Sequence, residues 1–435
     1  MDQEGYIMHV TGIIAEYNPF HCGHQYQIRR IREAIPESAI IAIMSGSFCQ
    51  RGQAAMLDKW TRAELAVREG CDLVLELPFV FACRSAQDFA RGGIRLLQRL
   101  SIVHTLAFGA ETDCLTDLQK AAAAIDTIPV QNGIHKKIAA GCSYAAALSG
   151  ELAERCRLSP LLLHQPNNIL AIEYLRALSD TPSIQPLLIQ RQGAAYHDND
   201  LHACRASASA IRTALRRASV LAAQTEGSLL ISQMSAAQCR AIQNAVPSEV
   251  WQRIEALNKN ELPAYDRFLI PLQLLMIRSE LSELRKTYGI REGLEYRIKS
   301  AVLAASHTEN ILRSAATKRY PRSRIQRLLL YLLLGLSEKT IHDMDEYGPL
   351  YARVLAGNAT GRKILRNMRA ISSIPTVTKT SSFLTSRQRS EGQQHLLPLQ
   401  RQLSIDTMAT ELRNLLLSGG PFRNDFQQSP RFFPE

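Results

Sequence analysis

The sequence predicts an α/β fold, a doubly wound parallel sheet followed by a mainly α-helical C-terminal region. Three observations lead there. Short apolar runs alternate with amphipathic stretches between residues 8 and 108. Glycine and proline punctuate the joints: Gly70 stands where a helix would end and Pro78 where a strand would. Past about residue 220 the apolar residues fall at helical spacing, with little sign of sheet.

Each element follows in order. Met8–Ala15 has strand composition, Pro19 breaks the chain, and Ile28, Ile31 and Ile35 then recur at helical spacing within and just beyond Gly23–Ala34. Strand-like runs return at Ala39–Met44, Leu73–Leu77 and His104–Phe108, with helices fitting at Leu57–Glu69 and Ala86–Leu100. Repeated βαβ units of this length imply a Rossmann-like parallel sheet, whose ligands bind beyond the strand carboxyl ends. The loops there are Glu16–Gly23, Ser45–Gly52, Pro78–Ser85 and Gly109–Asp113. Helical composition then runs from Cys114 to Arg157, broken by Pro129 and Gly133. A further strand follows at Gln185–Gln190, and Ala203–Arg217 turns helical after its first residues. The expected division is a nucleotide-binding domain over 1–220, a basic helical domain over 221–380, and a helical, loosely packed tail over 381–435.

Composition narrows the partners. A formal net charge of +11 favours a polyanion, nucleic acid above all. Nine cysteines with no C-x-x-C pair argue against zinc and against a disulfide framework. Met1-Asp2-Gln3-Glu4 lacks the cationic start of a signal peptide, and the longest strongly apolar run, Leu328–Leu334, is too short to cross a bilayer. A soluble cytoplasmic protein without a protein partner is the expectation.

The chemistry concentrates at His21-Cys22-Gly23-His24, directly after the first strand and opening a helix. Two imidazoles flanking a glycine there suit a polyanionic phosphate. Glycine lets the backbone approach closely, the unpaired helix N–H groups and the dipole attract the anion, and the rings donate to charge building on phosphorus. One thiol beside two histidines is a poor metal set, so no metal site is assigned. Further segments fall on the strand ends. Met44–Gly52 offers a tight turn and Arg51, Asp58-Lys59-Trp60-Thr61-Arg62 adds two cations, and Phe108-Gly109-Ala110-Glu111 closes the fourth strand. Ala206-Ser207-Ala208-Ser209-Ala210-Ile211-Arg212 places small hydroxyl residues and an arginine at a helix start, suited to β- and γ-phosphates; the plainer reading is a Ser-capped helix. The run Lys318, Arg319, Arg322, Arg324 and Arg327 leads into an apolar helix body and suits RNA contact.

Taken together these residues resemble the tRNA(Met) cytidine acetate ligase family, within the H-x-G-H nucleotidyltransferase superfamily. The resemblance rests on G-I-I-A-E-Y-N-P-F-H-C-G-H (12–24), M-S-G-S-F-C-Q-R-G (44–52), D-L-V-L-E-L-P (72–78), F-G-A-E (108–111), P-N-N-I-L (166–170), Y-H-D (196–198) and A-S-A-S-A-I-R (206–212). It continues more weakly through E-G-L-E-Y-R-I (292–298) and T-K-R-Y-P-R-S-R-I-Q-R (317–327). It implies a nucleotidyltransferase-type sheet and a two-stage ligase. ATP and acetate would give acetyl-adenylate and pyrophosphate, and the acetyl group would pass to N4 of the wobble cytidine of elongator tRNA(Met). Carried over by motif, His21 and His24 are catalytic. The ATP site is Ile14, Ala15, Glu16, Tyr17, Asn18, Pro19, Phe20, His21, Cys22, Gly23, His24, Gln25, Tyr26 and Gln27, joined by Gly109, Asn167 and Arg191. Ser207, Ser209 and Arg212 would hold the departing phosphates, with Mg²⁺ accompanying ATP. Cys22 stands where the family usually has Asn, Ala110 where Ser is common, and Ala54 where Pro is common. Another adenylyltransferase of the superfamily, a synthetase-like enzyme and a non-catalytic ATP-sensing RNA-binding protein are the alternatives. The first leaves the basic helical region without a purpose. The second lacks a good K-M-S-K-S-like loop, and the third does not account for both histidines and Arg212.

Overall fold

The computed structural model describes residues 8–142, 144–180, 183–191, 206–222, 229–419 and 423–434. Tyr196-His197-Asp198 and Cys204 lie outside the described residues. The strands are β1 (Val10–Ala15), β2 (Ala39–Ser45), β3 (Leu73–Leu77), β4 (Thr105–Ala110), β5 (Gln185–Gln190), β6 (Ala352–Gly357), β7 (Thr376–Val377) and β8 (Arg431–Phe432). They form one sheet in the order β5-β4-β1-β2-β3-β6-β7, with β8 also paired to β6. Strands β1 to β5 pair in parallel. The chain winds outward through β2 and β3, then returns to the other side of β1 for β4. The switch point therefore falls between β1 and β4, where the strand ends splay and open a crevice.

Local sequence explains the elements. β2 reads Ala-Ile-Ile-Ala-Ile-Met-Ser and is buried throughout, as expected of a parallel strand covered on both faces. Helix α1 (Cys22–Ala34) turns Ile28 and Ile31 inward. Helix α2 (Lys59–Arg68) starts where Asp58 accepts from the Thr61 N–H. Helix Ala86–Leu100 starts at the Ser85 cap and stops at Ser101, whose φ is +58°. One apolar cluster, including Ile41, Leu75 and Leu97, runs on into the helical region through Ile311 and Leu328. Another covers the opposite sheet face with Ile13, Ile31, Trp60 and Leu215.

Two expectations change. The sheet does not end near residue 220, because β6 lies antiparallel on β3, pairing Leu73 with Gly357 and Glu76 with Arg353. Residues on both sides of the expected domain division at 220 thus build one sheet. The stretch after 381 is not loosely packed either. Helix Pro398–Leu415 buries Leu403, Ile405 and Leu412, and Asp425 is 1 % exposed. The reason is a buried charge cluster. The Lys59 ammonium lies 2.8 Å from Glu76 and 2.6 Å from Asp425, and Arg353 lies 2.5 Å from Asp425. Burial opposes ionisation of Asp425, yet Arg353 and Lys59 hold its carboxyl below the usual range. Lys59 and Arg62, expected as cations facing a ligand, are instead interior groups. Among the described residues no helix is long and apolar enough to cross a membrane.

Candidate active site

The loop from β1 into α1 leaves the sheet at the switch point and is held from several sides. Tyr17 takes a positive φ of 46° with its ring buried, followed by a cis Asn18–Pro19 peptide. Asn18 is buried; its amide donates to Cys49 Sγ at 3.2 Å and its Oδ1 accepts from the Met56 N–H at 2.8 Å. Its carbonyl accepts from Arg212 at 2.6 Å. Arg62 donates to the carbonyls of Leu57, Glu16 and Gly46. Arg413, from the C-terminal helix, donates to those of Ala55 and Met56 at 2.8 and 2.9 Å. Glu16 in turn accepts from the Gln50 N–H at 2.7 Å. These buried guanidiniums replace the regular ladder that an irregular loop lacks.

His21 is the N-cap of α1. Its Nδ1 accepts from the Gly23 N–H at 3.0 Å, while His24 Nδ1 accepts from the His21 N–H at 3.2 Å. Each ring therefore has Nδ1 occupied by a backbone donor, which fixes the neutral tautomer with its proton on Nε2. The rings stack at 3.9 Å between centroids with 21° between planes. Tyr17 and Phe20 flank His24, their centroids 4.9 and 5.3 Å away. Burial, then the charges of Arg191 and Arg212, push His21 down to about 3. Burial, then His21 and Arg191, hold His24 well below the usual imidazole range. The pair therefore stays neutral near pH 7 and offers two N–H donors instead of two charges. Such a pair stabilises an anion without exchanging protons with it.

A cavity of ≈ 530 Å³ opens here, lined in part by His21, Cys22, Gly23, Gln25, Tyr26, Arg29, Arg191 and Ser207. Arg191 follows β5, extending its pairing through an N–H bond to the Ala110 carbonyl at 2.8 Å. Its side chain crosses Gly109, where a Cβ would meet Arg191 Cγ at 3.3 Å. Gly109 thus gives the arginine its path over the end of β4.

Other expected contacts lie behind this wall. Gln27 donates to the Ala107 carbonyl at 3.4 Å, pinning α1 to β4. Ile14 packs in the core, and Ala15, Pro19 and Phe20 shape the loop. Asn167 donates to Glu111 at 2.6 Å, and Asn168 clasps the Glu111 and Thr112 N–H groups, so that pair welds the end of β4 to helix Pro166–Leu178. Ser207 Oγ accepts from the Ala210 N–H as a cap, and the Ser209 carbonyl accepts from Thr213. Arg212 also binds Gln53 at 3.1 Å, which engages it with the loop while its charge bears on His21. Arg29 was not singled out from sequence, although it lies one helical turn beyond Gln25 and Tyr26 on α1. Ala54 donates its N–H to Tyr265 Oη at 2.8 Å, a bond proline could not make.

The basic run divides. Arg319 pairs with Glu292 at 2.7 Å and Arg322 pairs with Glu309. Arg324 lies over the Tyr320 ring, and Arg327 donates to the Gln50 carbonyl at 3.4 Å. Lys318 is exposed. Only the end of the run reaches the loop beside the site.

Residues 8–428 match the family model described as HIGH Nucleotidyl Transferase. The tRNA(Met) cytidine acetate ligase of Syntrophomonas wolfei is 35% identical, the match covering 97% of this chain and 99% of that one. The chain belongs to the tRNA(Met) cytidine acetate ligase family. The Clostridium novyi member is 32% identical over 97% of this chain and 99% of its own. The crystal structure of apo Thermotoga maritima TmcAL superposes with a TM-score of 0.85 at 28% identity, covering 98% of this chain and 100% of that one. TmcAL bound with alpha-thio ATP gives 0.83 at 27% identity, with the same coverage. The nucleotidyltransferase fold expected for the family is the fold observed.

Proposed function

We propose that this chain is an ATP-dependent tRNA(Met) cytidine acetate ligase, forming acetyl-adenylate and passing the acetyl group to N4 of the wobble cytidine of elongator tRNA(Met). The observation that carries the reading is the stacked, neutral histidine pair at the switch point, with both Nδ1 atoms held by backbone and neither Nε2–H bonded to another described residue. An acetate oxygen attacks the α-phosphorus and pyrophosphate leaves from the opposite side. The Nε2–H groups of His21 and His24 stabilise charge growing on the phosphoryl oxygens. Ser207, Arg29 and Arg191 line the cavity and receive the departing phosphates, with Arg212 and Asn18 keeping the loop in shape behind them. In the second stage the amine of an unstacked cytidine attacks the acetyl carbon and AMP departs.

Mg²⁺ finds no protein cage here. Among the described residues no group of three or more His, Cys, Asp or Glu could hold a metal ion. Glu16 and Glu111 are engaged with Gln50, Asn167 and Asn168. Magnesium would travel with the triphosphate, and no step above depends on it. Lys318, Arg319, Arg322, Arg324 and Arg327 are proposed RNA contacts, the last of them bonded to the loop beside the site. A cytoplasmic location is proposed along with this reading, which the tRNA substrate supports.

The test incubates the protein with ATP, labelled acetate and total tRNA, then digests the tRNA to nucleosides. Label in N4-acetylcytidine from tRNA(Met) is the expected result. Acetate-independent turnover of ATP, or label in another nucleoside, overturns the assignment.

A further inference from the structure

Helix Ala359–Ile371 reads Ala-Thr-Gly-Arg-Lys-Ile-Leu-Arg-Asn-Met-Arg-Ala-Ile and carries no acidic residue. It buries Ile364, Leu365 and Met368 against the sheet. Arg362, Lys363, Arg366 and Arg369 are all exposed. The inward stripe fixes the rotation of the helix, so the outward cations are displayed in a set arrangement. Arg362, Arg366 and Arg369 are spaced four and three residues apart and share one side, about 10 Å from first to last at the helical rise. None of the four forms an ion pair with another described residue; Arg362 instead lies over the Phe432 ring at 5.0 Å. The contrast with the 318–327 run is direct, since Arg319 and Arg322 there are neutralised by Glu292 and Glu309.

A rigid row of like charges repels itself and is favourable mainly when an anion of matching extent lies along it. Its length fits a sugar–phosphate backbone better than a single small anion, and a row of exposed cations, with the Phe432 ring covered by Arg362, suits phosphate contact better than base reading. We infer that helix Ala359–Ile371 is a second RNA-backbone contact of this protein, holding the tRNA away from the reacting cytidine. The inference rests on the proposed ligase reading, because it needs RNA as a substrate.

The experiment uses the full chain carrying Lys363→Gln, Arg366→Gln and Arg369→Gln, which keeps good helix formers at exposed positions. Acetate-dependent ATP–pyrophosphate exchange and the melting temperature should match wild type, since these side chains touch neither the cavity nor the core. Affinity for tRNA should fall roughly tenfold at moderate salt, and the log–log salt dependence should flatten by about two units. The KM for tRNA should rise while kcat at saturation holds. Wild-type tRNA affinity and salt slope in a folded, exchange-competent variant would overturn the helix as an RNA contact and leave the ligase reading standing. Failure of wild-type protein to acetylate tRNA at all would instead remove that reading.

Discussion

Gly23 sits two residues into α1 with no positive φ, so backbone strain does not explain it. The neighbouring ring does. A Cβ at this position would lie 2.7 Å from His21 Cε1 and 2.9 Å from His21 Nδ1. Ordinary contact begins near 3.4 Å, so Gly23→Ala forces the imidazole to move by about 0.7 Å. That displacement breaks the stack on His24 and the cap bond from the Gly23 N–H. Misplacing a reacting group by about 1 Å costs roughly 10²-fold in rate, and losing one preorganised donor roughly 10²–10³. Alanine is the better helix former by ~1 kcal/mol, which offsets most of the local clash in stability. The expected variant is therefore folded and crippled: acetate-dependent ATP–pyrophosphate exchange down about a hundredfold, with the melting curve nearly unmoved. Exchange within a factor of three of wild type would refute the reasoning, because it would mean the ring position does not matter.

Further outcomes follow from other parts of the same geometry. His24→Ala removes one donor and the acceptor for the His21 N–H, and should lower exchange roughly 10²–10³-fold; initial-rate assays with labelled pyrophosphate read it directly. With His21 at about 3 and His24 also depressed, kcat/KM for ATP should show no histidine step between pH 8 and 5. The same depression makes stability full above pH 6.5 and lost progressively as pH falls toward 3, because only the unfolded ring takes up the proton. For His21 the full loss, reached near pH 3, is on the order of 4–5 kcal/mol, and roughly 2–3 kcal/mol of it should appear in urea unfolding at pH 7 against pH 4.5 as a lower midpoint. Asp425→Asn removes the carboxylate shared by Lys59 and Arg353, leaving Glu76 as their remaining ion-pair partner, and should destabilise by about 3–5 kcal/mol. Pairing Lys59→Met with Asp425→Leu should restore much of that, and a melting temperature no better than that of the single variant would count against the charge argument.

The first five strands and the histidine motif were legible because their signals are local: apolar runs, a proline break and a glycine at a helix start. The sixth strand was not. Ala352-Arg353-Val354-Leu355-Ala356-Gly357 is short, carries an arginine, and pairs with a strand far earlier in the sequence. Lys59 and Arg62 misled for a related reason. Charged side chains read as surface, and only their partners, brought from distant segments, make burial affordable. Of the residues singled out from sequence, His21, Gly23, Tyr26, Arg191 and Ser207 fall on the cavity wall, whereas Asn167, Ser209 and Arg212 make structural bonds of their own. Arg29 escaped notice because a lone arginine on an amphipathic helix looks like any solvated face.

The antiparallel closure by β6 has a consequence for how the protein is made. When Leu77 leaves the ribosome, one side of β3 has no neighbour, and roughly 275 residues separate it from Ala352. At synthesis rates of about 5–20 residues per second that interval lasts roughly 14–55 s, with an apolar strand edge open to other chains throughout. Lys59 waits longer still, since its partner Asp425 lies well beyond Ala352 in the sequence. Nascent chains stalled short of residue 352 should therefore be clients for chaperones, and the loop around the histidines should become rigid only once Arg413 has emerged to bind the Ala55 and Met56 carbonyls.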